Sequence, residues 1–135
     1  MMAVSPEIHT AIRRSAYEQA FLAVIPTGRE NAITARRLGV LMGSYVGYVV
    51  GERAVRQVAS DLRMRGIAIC SAVREPYGFY RPTSADEAEE GMAHIWSRAR
   101  EARRIAKACR ATIIDMRRKE MADMVQPLPG MEQGA

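Results

Sequence analysis

A chain of 135 residues has room for one small domain and an extension, and two full domains would be crowded. Apolar residues at 48% and charged residues at 26% give a globular composition and exclude wholesale disorder. The net charge of +5 favours acidic partners, and eighteen of the twenty basic side chains are arginine.

Arginine's planar fork suits phosphates and guanine edges, although GC-rich coding would produce the same bias. The longest nearly uncharged run, Leu38–Gly51, is too short to span a bilayer and is broken by glycines, so no membrane partner is expected. Met1–Glu7 has neither a basic start nor an apolar block, so no signal peptide is read there. Cys70 and Cys109 are the only cysteines, which fits a reducing, cytoplasmic compartment. With His9 and His94 the only histidines, and no Cys-x-x-Cys, neither a metal nor a cofactor is expected.

The first helix begins after Ser5, where serine caps, Pro6 fits the first helical position and Glu7 meets the positive dipole end. Ile8, Ala11, Ile12, Ser15, Gln19 and Leu22 share one face, and Pro26–Gly28 ends the helix. A second, short helix follows the cap residue Thr34, with Leu38 and Leu41 facing inward and Gly43 as its stop. Ser44–Gly51 then reads as an apolar insert. Gly39, Gly43, Gly47 and Gly51 recur every fourth residue, as in a membrane helix-packing zipper, but turn punctuation explains them better in a run too short to span. An apolar loop that contacts a protein partner is the other reading of Ser44–Gly51.

The third helix runs from Glu52 to Arg65. Val55, Val58 and Leu62 form its buried stripe, and Gly66 ends it in a left-handed cap. Ile67–Cys70 and Tyr77–Tyr80 read as a β-hairpin around a loop that carries Arg74. A fourth helix starts at Ser84, with Ser84 and Glu87 at capping-box spacing. No proline interrupts the chain from Thr83 to Gln126, so one long helix is expected. Along it Ala88, Met92, Ile95, Ala99, Ala102, Ala106, Cys109, Ile113 and Met116 are spaced alternately by four and three. That is a heptad seam through which two copies would pair as a homodimer. Trp96 beside it reads as a packing anchor. The alternative is a helix whose first half packs on its own domain and whose remainder is solvated. The organisation is thus 1–83 for a compact domain, 84–125 for a helical extension and 126–135 for a disordered tail.

Three helices followed by two strands, with arginines on the third helix, form the pattern of a winged helix-turn-helix: a mainly α (α+β) fold with a two-stranded wing and a long C-terminal helix. A helix fits the major groove of duplex DNA. Arg53, Arg56, Gln57 and Ser60 supply forks, an amide and a hydroxyl for base edges. Arg36, Arg37, Arg63, Arg74, Tyr77 and Arg81 are placed for phosphates. Residues 31–81 carry eight arginines against three acids.

The ordered segments Ile25-Pro-x-Gly-Arg-Glu-Asn-Ala-Ile-Thr-Ala35, Arg36-Arg-Leu38, Arg53-x-Val-Arg56, Leu62-Arg63, Gly66-Ile67, Ile69-Cys-Ser71 and Tyr77-Gly-Phe-Tyr80 resemble the small winged helix-turn-helix proteins of bacteriophages and prophages. The resemblance spans Ile25 to Lys107, and Gly-Arg-Glu-Asn-Ala-Ile and Ile-Cys-Ser are its more specific elements. It implies a double-stranded DNA-binding module in a bacterial cell or phage-infected host. Such a module would serve as a transcriptional regulator or as an accessory factor in replication or recombination. The chain departs from the pattern at Ser44–Gly51, which is longer than the usual tight turn before a recognition helix.

Enzymatic readings are thin. Capping and helix-dipole roles account for Asp86, Glu87, Glu89 and Glu90, Cys70 has no histidine near it in sequence, and Gly28-Arg29-Glu30 lacks the lysine of a phosphate loop. The competing non-enzymatic class is a protein-interaction or assembly module whose long basic helix docks an acidic partner or RNA.

Overall fold

The structure, a computed structural model, describes residues 5–125, so the expected tail at 126–135 lies outside the described residues. The chain divides into two units, Met1–His94 and Ile95–Ala135. The first unit contains helices α1 (Pro6–Val24), α2 (Ala35–Val46) and α3 (Glu52–Met64), then strands β1 (Cys70–Ala72) and β2 (Gly78–Tyr80). Helix α4 (Ala85–Met124) begins in the first unit and continues into the second.

The helix starts follow local chemistry. Ser5 Oγ accepts from the Ile8 N–H at 3.3 Å, Thr34 Oγ1 from the Arg37 N–H at 3.2 Å, and Ser84 Oγ from the Glu87 N–H at 3.1 Å. Each bond satisfies a donor that the first helical turn leaves open. Glu87 does not close the expected reciprocal box. Its carboxylate accepts instead from the Thr83 N–H at 3.2 Å and from the Arg29 N–H at 3.1 Å, which joins the start of α4 to the segment after α1.

The face of α1 read from Ile8, Ile12 and Leu22 is exposed. The helix instead buries Ala20 and Phe21, with Tyr17 and Val24 packed alongside. The buried face is thus set by Tyr17, Ala20, Phe21 and Val24, at spacings of three, one and three, and Ile8, Ile12 and Leu22 lie off it.

Helix α2 runs through Gly43 to Val46 and ends at Gly47, whose φ of 89° takes the left-handed cap. Met42, rather than Leu41, fills the core beside Leu38. The sequence reading of Ser44–Gly51 as an insert is therefore corrected: its first three residues finish α2, and Gly47–Gly51 is the turn into α3. That turn folds back on the helix. The Val50 N–H donates to the Gly39 carbonyl at 3.1 Å, and a Cβ on Gly39 would lie 1.9 Å from the Val50 oxygen. Within α2 the recurring glycines thus admit a returning backbone, and Val50 seals the contact.

Helix α3 buries Val55, Val58, Ala59 and Leu62. It closes with paired reverse bonds, Ile67 N–H to Leu62 O at 3.1 Å and Gly66 N–H to Arg63 O at 2.9 Å. Because Ile67 still serves this cap, β1 starts at Cys70, three residues later than its sequence suggested. The strands are antiparallel, with Cys70 opposite Tyr80, Ser71 opposite Phe79 and Ala72 opposite Gly78. Phe79 has a second partner. It exchanges both backbone bonds with Ile33, at 3.2 and 2.7 Å, so the residue preceding the α2 cap extends the wing's sheet. Gly78 makes this possible: its φ is 124°, and a Cβ there would fall 1.8 Å from the Ile33 oxygen.

The main core gathers Phe21, Leu38, Met42, Val55, Leu62 and Ile69. A smaller cluster of Ala32, Cys70 and Tyr80 receives Met92, and Gly91 is the one α4 residue buried among those described. Met92, read from the sequence as a seam residue, is therefore part of the domain's packing. Burial pushes the Cys70 thiol up and the Tyr80 phenol up to about 12, so both stay protonated at neutral pH. From Trp96 to Val125 every residue of the second unit is exposed, Trp96 included. Three helices, a turn between the second and third, and a two-stranded hairpin make a winged helix-turn-helix with a long C-terminal helix.

Candidate nucleic-acid interface

On α3 the apolar stripe and the polar face are opposed. Arg53, Arg56, Gln57 and Ser60 recur at helical spacing and are all exposed, while Val55, Val58 and Leu62 point into the core. Little ties these polar side chains down. The Arg56–Glu52 pair is 4.0 Å apart with the Arg56 side chain 62% exposed, and Gln57 Nε2 donates to Asp61 Oδ1 at 2.9 Å. Exposed contacts of this kind are weak and exchange readily with another partner. The face therefore offers two guanidinium forks, an amide and a hydroxyl without first breaking the fold.

Arg63 is placed differently. Its Nε donates to the Ile69 carbonyl at 2.7 Å, its Nη2 donates to Ser71 Oγ at 2.8 Å, and its guanidinium carbon stands 5.7 Å from the centre of the Phe79 ring. The residue expected to hold a phosphate is turned onto the wing. It fixes where the hairpin stands beside α3.

The other positions expected at phosphates lie in the first turn of α2, on the wing loop and directly after β2. Arg36 and Arg37 are exposed in the first turn of α2, and Arg74 and Tyr77 are exposed on the wing loop. Arg37 and Tyr77 share a cleft of about 730 Å³ between the start of α2 and the wing, with Thr34 and Pro76 also lining it. Arg81 is half-buried. Its backbone pairs with Pro26 and Gly28, and its Nε is buried without a hydrogen-bond partner among the described residues.

Arg29 is the residue that sequence reasoning missed. Its guanidinium donates to the carbonyls of Arg74 at 2.6 Å, Glu75 at 3.3 Å and Pro76 at 3.0 Å. Its backbone N–H is bound by Glu87. One side chain thus gathers the wing tip, and the same residue is held by the start of α4. An arginine beside Gly28 in a short polar run carries no periodic signal, so only its long-range partners identify it.

The described residues hold no group of three or more histidine, cysteine or acidic side chains arranged for a metal ion. No described helix is long and apolar enough to cross a membrane. Cys70 is buried with a raised thiol pKa, which suits a core residue and not a nucleophile. Compared with protein families, curated proteins and solved structures, the chain matches none.

Replacing Arg29 with alanine removes three charge-assisted bonds to the wing tip. Stability should fall by about 1–2 kcal/mol, because the bonds lie near solvent. Amide exchange at residues 73–77 should accelerate about tenfold while α3 keeps its protection. Exchange measured by mass spectrometry would refute the latch if the wing loop were unaffected.

Proposed function

We propose that this chain binds double-stranded DNA, with α3 in the major groove and the wing alongside it. Arg53, Arg56, Gln57 and Ser60 read base edges, and Arg36, Arg37, Arg74, Tyr77 and Arg81 hold phosphates. Arg63 acts indirectly, by keeping the wing at a fixed distance from the reading helix. The observation that carries this reading is the α3 face itself: its arginines are exposed and lie opposite a fully buried stripe. The resemblance to phage and prophage winged-helix proteins supports a cytoplasmic role as a transcriptional regulator or as an accessory factor in replication or recombination.

Two copies pair through the part of the seam left outside the domain core, Ile95, Ala99, Ala102, Ala106, Cys109, Ile113 and Met116. Its small residues let helices approach closely, and pairing would set the spacing of two DNA half-sites. A second reading is favoured by the last turn of α2 and the turn that follows it, where Tyr45 is 62%, Tyr48 52% and Val49 66% exposed. In that reading the domain is an assembly module and Ser44–Gly51 meets a protein partner.

Fluorescence anisotropy with mixed-sequence duplexes tests the first reading. Affinity should fall steeply with salt, by a slope of about 0.9 for each phosphate engaged. Arg56→Ala should weaken binding to a selected site by about 1–3 kcal/mol and relax the preference for it. No duplex binding at low salt would transfer the fold to the assembly reading.

Sedimentation velocity tests the pairing. The full chain should run as a dimer, and Ala102→Glu, which places a charge in the seam, should shift it to monomer. A full chain that is monomeric at high concentration contradicts the pairing.

A further inference from the structure

The second unit carries a charge pattern that the reading helix does not use. Between Arg100 and Arg110, the side chains of Arg100, Arg103, Arg104, Lys107 and Arg110 fall on one stripe of α4, at spacings of three and four. All five residues are exposed. Arg104 has one acidic neighbour, with its Nη1 3.4 Å from Glu101 Oε2, and that pair is itself exposed. For Arg100, Arg103, Lys107 and Arg110, no acid stands three or four positions away on either side. Their neighbours at those positions are neutral or cationic.

That arrangement opposes helix formation. Like charges three and four residues apart repel on a helix surface, whereas solvated helices commonly alternate signs at these spacings. Here Arg100–Arg103, Arg100–Arg104, Arg103–Lys107, Arg104–Lys107 and Lys107–Arg110 are all cation pairs. A polyanion lying along the stripe offsets these repulsions, because each cation gains an anionic neighbour.

We infer that this stripe is a second binding site for the phosphate backbone of duplex DNA, independent of base sequence and separate from α3. The inference rests on the duplex-binding reading of the domain. The chemistry selects the partner. Four of the five cations are arginine, whose fork engages phosphate oxygens two at a time. From Arg100 to Arg110 the helix rises about 15 Å, and a duplex presents a phosphate charge about every 1.7 Å along its axis. Between Arg100 and Arg110 the helix carries one bulky apolar side chain, Ile105, and the neighbouring seam positions Ala99, Ala102 and Ala106 are small, whereas helices that lie in a membrane surface carry a continuous bulky apolar face. The stripe lies about a third of a turn from that seam, so pairing of two helices leaves it open.

The test uses the full chain with Arg100→Gln, Arg103→Gln, Lys107→Gln and Arg110→Gln combined. Glutamine preserves helix propensity, and circular dichroism checks that the helix content is kept. Anisotropy titrations across salt concentrations on a 30-bp mixed-sequence duplex compare this variant with the native chain and with Arg56→Ala. The expected result is a salt slope lower by about three to four for the stripe variant, with its preference among duplexes unchanged. An unchanged slope, with helix content retained and native binding present, overturns the stripe while leaving the domain reading intact. Loss of binding in the stripe variant, beside full activity of Arg56→Ala, supports the stripe and removes α3 from the interface. Tenfold tighter, stripe-dependent binding to single-stranded RNA of equal length overturns the assignment to duplex DNA, and a native chain that binds no duplex overturns both.

Discussion

Arg63 is the joint that ties the wing to α3. It leaves α3 beside the buried stripe, donates at 2.7 Å to the Ile69 carbonyl and at 2.8 Å to Ser71, and covers the ring of Phe79. Hydrogen bonds from a charged donor contribute about 1.5–3 kcal/mol each when shielded from solvent. Phe79 in turn packs edge-on against Phe21 and exchanges backbone bonds with Ile33. Helix α3, the wing, α1 and the entry to α2 therefore meet around one arginine and one phenylalanine. With that joint fixed, the opposite side of α3 is displayed at a set position relative to Arg74 and Tyr77. Arg29 completes the arrangement at the wing tip, where three carbonyls converge on a single guanidinium.

The parts of this fold that were legible in the sequence are those governed by local chemistry. Ser5, Thr34 and Ser84 cap helices because a short side-chain oxygen reaches its own first turn. Gly66 ends α3 because only glycine takes that backbone angle without strain, and Val55, Val58 and Leu62 share a face through helical periodicity. The illegible parts depend on partners far along the chain. A single residue such as Ile33, pairing with Phe79 forty-six positions later, has no period to detect. Arg63 and Arg56 are the same residue type on the same helix, and only the position of the wing turns one inward. The recurring glycines suggested a helix-packing surface, and Gly39 does admit a close approach, but the approaching backbone is the chain's own turn at Val50.

The two units divide the work differently. In the first, burial of Phe21, Leu38, Met42 and Leu62 holds the elements together, and Gly91 and Met92 bring the start of α4 into that packing. In the second, the helix has no core of its own among the described residues. From Ala99 onward its seam is exposed, as is its basic stripe. An isolated helix of this kind gains little from propensity alone and becomes firm when its faces are covered. The two occupants proposed for these faces, a second copy on the seam and a phosphate backbone on the stripe, are complementary, one apolar and one anionic.

The most direct test of the central claim is an NMR titration of the isotope-labelled chain with duplex DNA bearing a site chosen by selection from a random pool. Amide and side-chain shifts should concentrate at Arg53, Arg56, Gln57 and Ser60 on α3 and at Arg74 and Tyr77 on the wing, while the Arg63 side chain keeps its contacts. Shifts that bypass the outer face of α3 and appear only around Tyr45, Tyr48 and Val49, or only on α4, would contradict it.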